Sequence, residues 1–257
     1  MRLFDTHAHY DDPAFDEDRE ALLAALPEKG VRKVANMGCD LASSRIAVEL
    51  AEKYPYIHAA VGLHPGNAEQ FTQNVISELS ALARSGRVVA IGEIGLDYHY
   101  PTPDREMQRA AFRAQLALAK ELGLPVCVHS RDAHADTLSI ISEFPEVHGV
   151  VHCYTGAREM AKDLTDRGWY IGFTGMVSFK NSKKARLVAE SLPLDRILIE
   201  TDCPYLAPEP FRGKRCDSSL LPYTAAAIAQ VRGMETDELI EAVYQNGCRF
   251  YGIDPED

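Results

Sequence analysis

A chain of 257 residues, 46% hydrophobic and 25% charged, is long enough for one large core and matches the roughly 250 residues of a typical (β/α)8 barrel. Glycine and proline (17 and 14) are near average usage, which excludes collagen-like or long disordered chains. No apolar run approaches the roughly 18 residues of a membrane span, and MRLFDTHAHY has no signal-peptide core. The formal charge of −11 excludes a protein that coats long stretches of nucleic acid, which needs a basic face. Short strand ends and small anions stay possible, because bound divalent cations reverse a local potential. The expectation is a soluble cytoplasmic protein with no membrane contact and no obligate protein partner.

In chain order, short β-branched or apolar runs fall at 2–4, 31–37, 57–63, 88–94, 125–128, 149–153, 169–173 and 196–199. Helical stretches separate them at 16–29, 41–54, 72–84, 104–122, 133–144, 157–167 and 182–191. The clearest helix is opened by Pro103 and Asp104 and stopped by Gly123. The tail 221–251 reads as two helices broken near Gly233. Eight strands alternating with helices imply a parallel sheet, and eight such units close into a barrel. The strands are near-continuous apolar runs, as expected when both faces are covered. The alternative, an open doubly wound sheet, would carry a glycine-rich phosphate loop after its first strand. Here that strand ends in DTHAH. No linker or composition shift divides the chain, so residues 1–257 read as one domain.

The polar residues collect at strand ends. The first strand runs into Asp5-Thr6-His7-Ala8-His9, with His7 and His9 on one face. The fourth is apolar except for Glu93, the fifth ends at His129, the sixth at His152, and the eighth in Glu200-Thr201-Asp202. The carboxyl ends of barrel strands are where barrel enzymes place their active sites. A single strand-end histidine is ordinarily a satisfied hydrogen-bonding residue, and a single carboxylate a helix cap. Six imidazoles and carboxylates converging on one mouth would be costly as bare buried groups, and metal ions remove that cost. The donors are nitrogen and oxygen without thiolate, suiting Zn²⁺, Mn²⁺, Mg²⁺ or similar cations.

Six ligands suit two ions, with Glu93 as the bridging carboxylate. One ion would take His7, His9, Asp202 and Glu93, the other Glu93, His129 and His152. Asp202 is also the candidate general base. Arg131, two positions after His129, shares its face and suits a substrate phosphate. The alternative for Arg131 is a surface salt bridge. The run Tyr98-His99-Tyr100-Pro101 offers rings for stacking on a base or for packing over the next helix start. Cys39, Cys127, Cys153, Cys203, Cys216 and Cys248 are scattered without a C-x-x-C pair, so they read as reduced thiols. Strand alternation turns Cys153 and Cys203 outward under helices.

The ordered motifs DTHAHYDD, VGLHPGNA, IGEIGLDYHY, PVCVHSRDA, VVHCYTG, LIETDCPYLAP and NGCRFYGI run nearly end to end. Over them the chain resembles the TatD family of metal-dependent hydrolases, within the wider amidohydrolase-like barrels. The resemblance implies a (β/α)8 fold and a metal-dependent hydrolase, commonly a deoxyribonuclease. It implies metal ligands at His7, His9, Glu93, His129, His152 and Asp202. It adds His64, in GLHP, as a substrate-side residue or a partner of the ligands. The family's P-x-R-G-K-x-N loop keeps its basic core here as Arg212-Gly213-Lys214, while Cys216 stands where asparagine is common. Arg212 and Lys214 therefore read as anion contacts.

The leading expectation is a two-metal phosphodiesterase acting on DNA or other nucleic-acid ends. The alternatives are an ester or amide hydrolase with the same site, such as an aminoacyl-tRNA deacylase, and a non-catalytic metal-binding barrel.

Overall fold

The computed structural model describes residues 1–256. Its eight strands are β1 (Leu3–Ala8), β2 (Val31–Met37), β3 (Ile57–Val61), β4 (Val88–Asp97), β5 (Val126–Arg131), β6 (Gly149–Val151), β7 (Tyr170–Phe173) and β8 (Ile197–Ile199). Helices α1 (Arg19–Ala25), α2 (Leu41–Lys53), α3 (Gln73–Ala83), α4 (Arg105–Leu122), α5 (His134–Ser142), α6 (Arg158–Asp166) and α7 (Lys183–Ser191) alternate with them. After β8 come α8 (Leu221–Arg232) and α9 (Thr236–Tyr251). Strand order in the sheet follows chain order from β1 to β8, the topology of the expected (β/α)8 class.

Two compact units make up the chain. One joins Met1–Ala35 to Cys153–Asp257, and the other is Asn36–His152. In the second unit β3, β4, β5 and β6 pair in parallel. Their apolar faces lie under helices: Leu116 and Phe112 of α4, Leu79 of α3 and Ala47 of α2 are fully buried. The β4–β5 ladder sets Gly95 opposite His129 and Asp97 opposite Arg131, and its register shifts between Ile91 and Ile94. That irregularity contains Glu93. Bulges of this kind re-aim a side chain beside a site. Gly95 has φ +134°, and a Cβ there would stand 2.1 Å from the His129 carbonyl oxygen, so only glycine lets the two strands approach.

In the first unit β7 pairs with β8 in parallel. Thr6 Oγ1 donates to the Ile199 carbonyl at 2.9 Å and Tyr251 of α9 donates to the Thr6 carbonyl at 2.7 Å. Phe4 packs on Tyr244 and Tyr251 of α9. The C-terminal helix therefore fastens to β1.

Most boundaries fall where punctuation residues put them. Asp104 caps α4 through Met107 N–H, and Gly123 ends it in the left-handed region (φ 66°). Gly233 (φ 65°) breaks the tail into α8 and α9 as expected. The stretch 16–29 departs from the single helix expected. α1 stops at Ala25, and Leu26–Lys29 tightens into a 3-10 turn with Pro27 near its start, because proline cannot continue an α-helical bond ladder. β1 and β4 run past the apolar runs 2–4 and 88–94 to Ala8 and Asp97, taking in the polar strand ends that the sequence showed there.

Gln115 of α4 is fully buried, accepting from Leu63 N–H at 2.7 Å and donating to the Leu63 carbonyl at 3.0 Å. Gln115→Leu keeps the volume but strands both backbone groups. At ~1–3 kcal/mol for each unsatisfied group it should destabilise the protein by about 2–6 kcal/mol in denaturant unfolding. A loss under about 0.5 kcal/mol would show that the tie is dispensable.

Candidate metal centre

Each unit carries its own cluster of imidazoles and carboxylates at the carboxyl ends of its strands. In the first, His7 is on β1, His9 follows its last residue, and Asp202 lies just past β8. His7 Nε2 and His9 Nε2 are 3.2 Å apart, and Asp202 Oδ1 is 3.3 Å from His9 Nε2 and 3.7 Å from His7 Nε2. Donors sharing one ion at bonds of about 2.0–2.1 Å stand roughly 2.9 Å apart at a right angle and roughly 3.4 Å apart at a tetrahedral one. Two of the separations fall in that range and the third, His7 to Asp202, lies 0.3 Å above it, while the donor chemistry suits a divalent cation. Asp202 has φ 55°, a left-handed backbone that costs about 1 kcal/mol in a non-glycine residue. It is held there by its N–H to the His7 carbonyl and by the His9 N–H to the Cys203 carbonyl, both 2.9 Å. The His7 side chain is wholly buried, whereas 17% of the Asp202 side chain is exposed, so the cluster opens to solvent on the carboxylate side.

In the second unit Glu93 is the hub. Its Oε1 is 2.8 Å from His152 Nε2 and 2.9 Å from His129 Nδ1, and those two nitrogens are 3.2 Å apart. These separations again fit a shared ion. Burial pushes the Glu93 carboxyl up, but the charges of His152 and His64 and hydrogen bonds from His129 and His152 outweigh it and hold it well below the usual carboxylate range. A bound cation would compensate the buried carboxylate in the same way, and since imidazole ligands bind metal only when unprotonated, metal affinity in such sites depends on pH.

His64 joins this cluster as well, with Glu93 and His129 as a set of donors that could hold an ion. Its Nδ1 accepts from Gly66 N–H at 3.0 Å, capping a 3-10 turn at Pro65–Gln70. With that lone pair engaged, His64 carries a proton on Nε2, which points at Glu93 Oε1 from 3.6 Å.

Asp97, which the sequence reading did not single out, faces His129 from the other side. Its Oδ2 lies 3.2 Å from His129 Nε2, and its Oδ1 accepts from His99 N–H at 2.9 Å. A carboxylate on the far nitrogen fixes a ligand ring's tautomer and orientation. Burial lowers the basicity of His129, but the bonds to Asp97 and Glu93 raise it by more. Asp97 was detectable: it stands four positions after Glu93 on the same strand, hence on the same face.

The expected substrate contacts are spread over both units. Arg131 ends β5 exposed, its guanidinium over the Tyr100 ring at 5.5 Å. Tyr98 packs over the start of α4, donating to Asp136 at 2.7 Å beneath Arg105 and Arg109, while Tyr100 is 58% exposed. In the first unit Arg212 stacks on Phe179 at 4.4 Å and Lys214 lies over Phe211, both cations exposed. Arg215 is committed elsewhere, paired with Asp18 and bonded to the Ala14 carbonyl.

All six cysteines are free thiols. Cys153 departs from the expectation of packing outward under a helix. β6 ends at Val151, Cys153 takes φ 42°, and its sulfur sits beside Thr174 Oγ1 (3.6 Å) and Met176 at the end of β7. Strand alternation does not extend past the strand.

Imidazole–carboxylate clusters at the ends of parallel strands define a metal-dependent hydrolase of the (β/α)8 class. The family described as TatD related DNase matches residues 4–252. YabD of Bacillus subtilis, named an uncharacterized metal-dependent hydrolase, is 40% identical over 98% of this chain and 99% of its own. A Klebsiella pneumoniae protein named 3'-5' ssDNA/RNA exonuclease TatD is 34% identical over 98% of each. The crystal structure of YJJV, a TatD homologue of Escherichia coli K12, superposes with TM-score 0.92 at 32% identity, covering 98% of this chain and 99% of that one. The chain belongs to the TatD family and is a metal-dependent hydrolase with the (β/α)8 fold.

If Asp97 orients His129, Asp97→Ala should weaken divalent-cation binding at the second unit's cluster about 10- to 100-fold. Competition against a chelating dye measures this, and wild-type affinity in the folded variant would remove Asp97 from the centre.

Proposed function

We propose that the protein hydrolyses phosphodiester bonds at nucleic-acid ends, DNA foremost, with two divalent cations as cofactors. The observation that carries this is the pair of clusters, one per unit, each with donor separations suited to one ion. His7, His9 and Asp202 would hold one ion, and Glu93, His129 and His152 the other. The bridging role expected of Glu93 belongs to the same proposal, as do the single domain and the cytoplasmic location read from the sequence. Among the described residues, no helix is long and apolar enough to cross a membrane. When bound, such ions polarise a phosphoryl oxygen and lower the pKa of water.

The chain's own residues supply the rest. Asp202, the more exposed carboxylate, would orient the attacking water and accept its proton. His64 would direct its Nε2–H toward the reacting region beside Glu93. Exposed Arg212 and Lys214, and Arg131 over Tyr100, would take phosphate oxygens along the strand. Support for nucleic acid over other esters comes from these cations in a chain of charge −11, and from relatives named 3'-5' ssDNA/RNA exonucleases.

Chelated protein reloaded with Mg²⁺, Mn²⁺ or Zn²⁺ and given 5'-labelled single-stranded DNA should shorten it from the 3' end, leaving duplex DNA and aminoacyl-tRNA largely intact. Cleavage of aminoacyl-tRNA alone would instead assign the site to ester hydrolysis. Asp202→Asn should reduce turnover by about 10²- to 10⁴-fold, the usual worth of a general base, and full activity in that variant would overturn its role.

Metal analysis supplies an independent check. The wild type should hold about two ions per chain, and His9→Ala or His152→Ala about one, as expected for separate catalytic metal sites. A single ion per chain in the wild type would sink the two-metal reading.

A further inference from the structure

We propose that Asp5 is a positioning residue for His7, His9 and Asp202, acting through Thr201, Ser218 and Tyr10; this rests on reading those three residues as ligands of one ion. Asp5 lies two residues before His7 and is fully buried. Its Oδ2 accepts from Thr201 Oγ1 and from Ser218 Oγ, both at 2.6 Å. Its Oδ1 accepts from Thr201 N–H at 2.9 Å and, at 3.4 Å, from His7 N–H. Tyr10 completes the network. Its hydroxyl accepts from Ser218 N–H at 2.9 Å and lies 2.6 Å from Ser218 Oγ, whose own proton is given to Asp5, so Tyr10 donates to Ser218. Thr201 Oγ1, having given its proton to Asp5, accepts from Cys203 N–H at 3.2 Å. Every proton in the chain of bonds has one consistent direction, with a carboxylate as the common acceptor.

Where these residues sit in the sequence separates this network from ordinary core polarity. Thr201 and Cys203 flank Asp202, Tyr10 follows His9, and the His7 amide bonds to Asp5 itself. Each of the three residues is thus tied to Asp5, His7 by its own amide and His9 and Asp202 by an immediate neighbour, directly or through one hydroxyl. Asp202 is the ligand that most needs holding, since its left-handed backbone is disfavoured for a side-chain-bearing residue. Deep hydrogen-bonded groups that orient ligands without touching the ion change metal affinity when removed.

The test uses the full chain and Zn²⁺ as the probe, with affinities from competition against a chelator and kcat and KM from hydrolysis of a small phosphodiester. Asp5→Asn and Thr201→Val should each weaken one of the two ions by about 10- to 100-fold and lower kcat with KM unchanged, while Thr201→Ser restores wild-type binding. Ser218→Ala should move affinity in the same direction by less, because Asp5 keeps its other donors. Should Asp5→Asn fail to fold, the Thr201→Val and Thr201→Ser pair decides the matter. Cooperatively unfolding variants that bind both ions as the wild type does would overturn the proposal, as would Thr201→Val and Thr201→Ser behaving alike. His9→Ala tells the two failures apart. If it leaves both affinities unchanged, the ligand reading itself falls; if it removes one ion while the Asp5 and Thr201 variants do not, only the positioning role falls.

Discussion

A carboxylate that is only 3% exposed has to be matched by positive charge or by metal, and much of the second unit follows from meeting that demand at Glu93. An ion as small as a carboxylate loses several kcal/mol of hydration on such burial, far more than any single neighbour returns. Compensation therefore comes from several groups converging on one oxygen. His129 and His152 reach Oε1 within hydrogen-bond distance, and His64 adds its field from farther away. Placing three rings from three strand ends on one carboxylate sets local terms on the backbone. The β4–β5 register shifts at Glu93, Gly95 gives up its side chain to let His129's backbone pass, and Asp97 backs the His129 ring.

The first unit solves a milder form of the same problem. Asp202 keeps more contact with water, and its two imidazoles need to approach from one side only. Its difficulty lies in the backbone, which must turn left-handed immediately after β8. The hydrogen bonds from residues 202 and 9 to the carbonyls of His7 and Cys203 convert that turn into a fixed corner. The two clusters thus bear different costs, one chiefly desolvation and the other chiefly conformational strain.

Much of this was readable from the chain. Alternating apolar runs and helices gave the βα order, and glycine and proline placed the ends of α4, α8 and α9 well. Glu93 stood out as the one charge in an apolar strand, and His7 and His9 by their spacing of two. What escaped was whatever depends on backbone departing from regular strand. His152 and Asp202 were expected on strands and instead lie just beyond them, reached by left-handed or loop backbone that has no periodic signature. Cys153 was misplaced for the same reason. Asp97 and Asp5 obeyed alternation but looked like ordinary strand-end polar residues, because their partners are brought by other strands. Arg215 could not be told from Arg212 and Lys214 by sequence, since only the fold brings Asp18 to it.

Asp5 and Thr201 are 196 residues apart along the chain, whereas Glu93, His129 and His152 fall within one stretch of consecutive βα units. A chain made from its N-terminus holds His7 and His9 from the outset but must complete nearly every strand before Asp202 exists to meet them. Until then the two imidazoles at the end of β1 lack the carboxylate that faces them in the folded protein. The second unit's donors can assemble earlier, from neighbours closing short loops. Assembly of the two clusters would then follow the order of synthesis, the second unit's ahead of the first's.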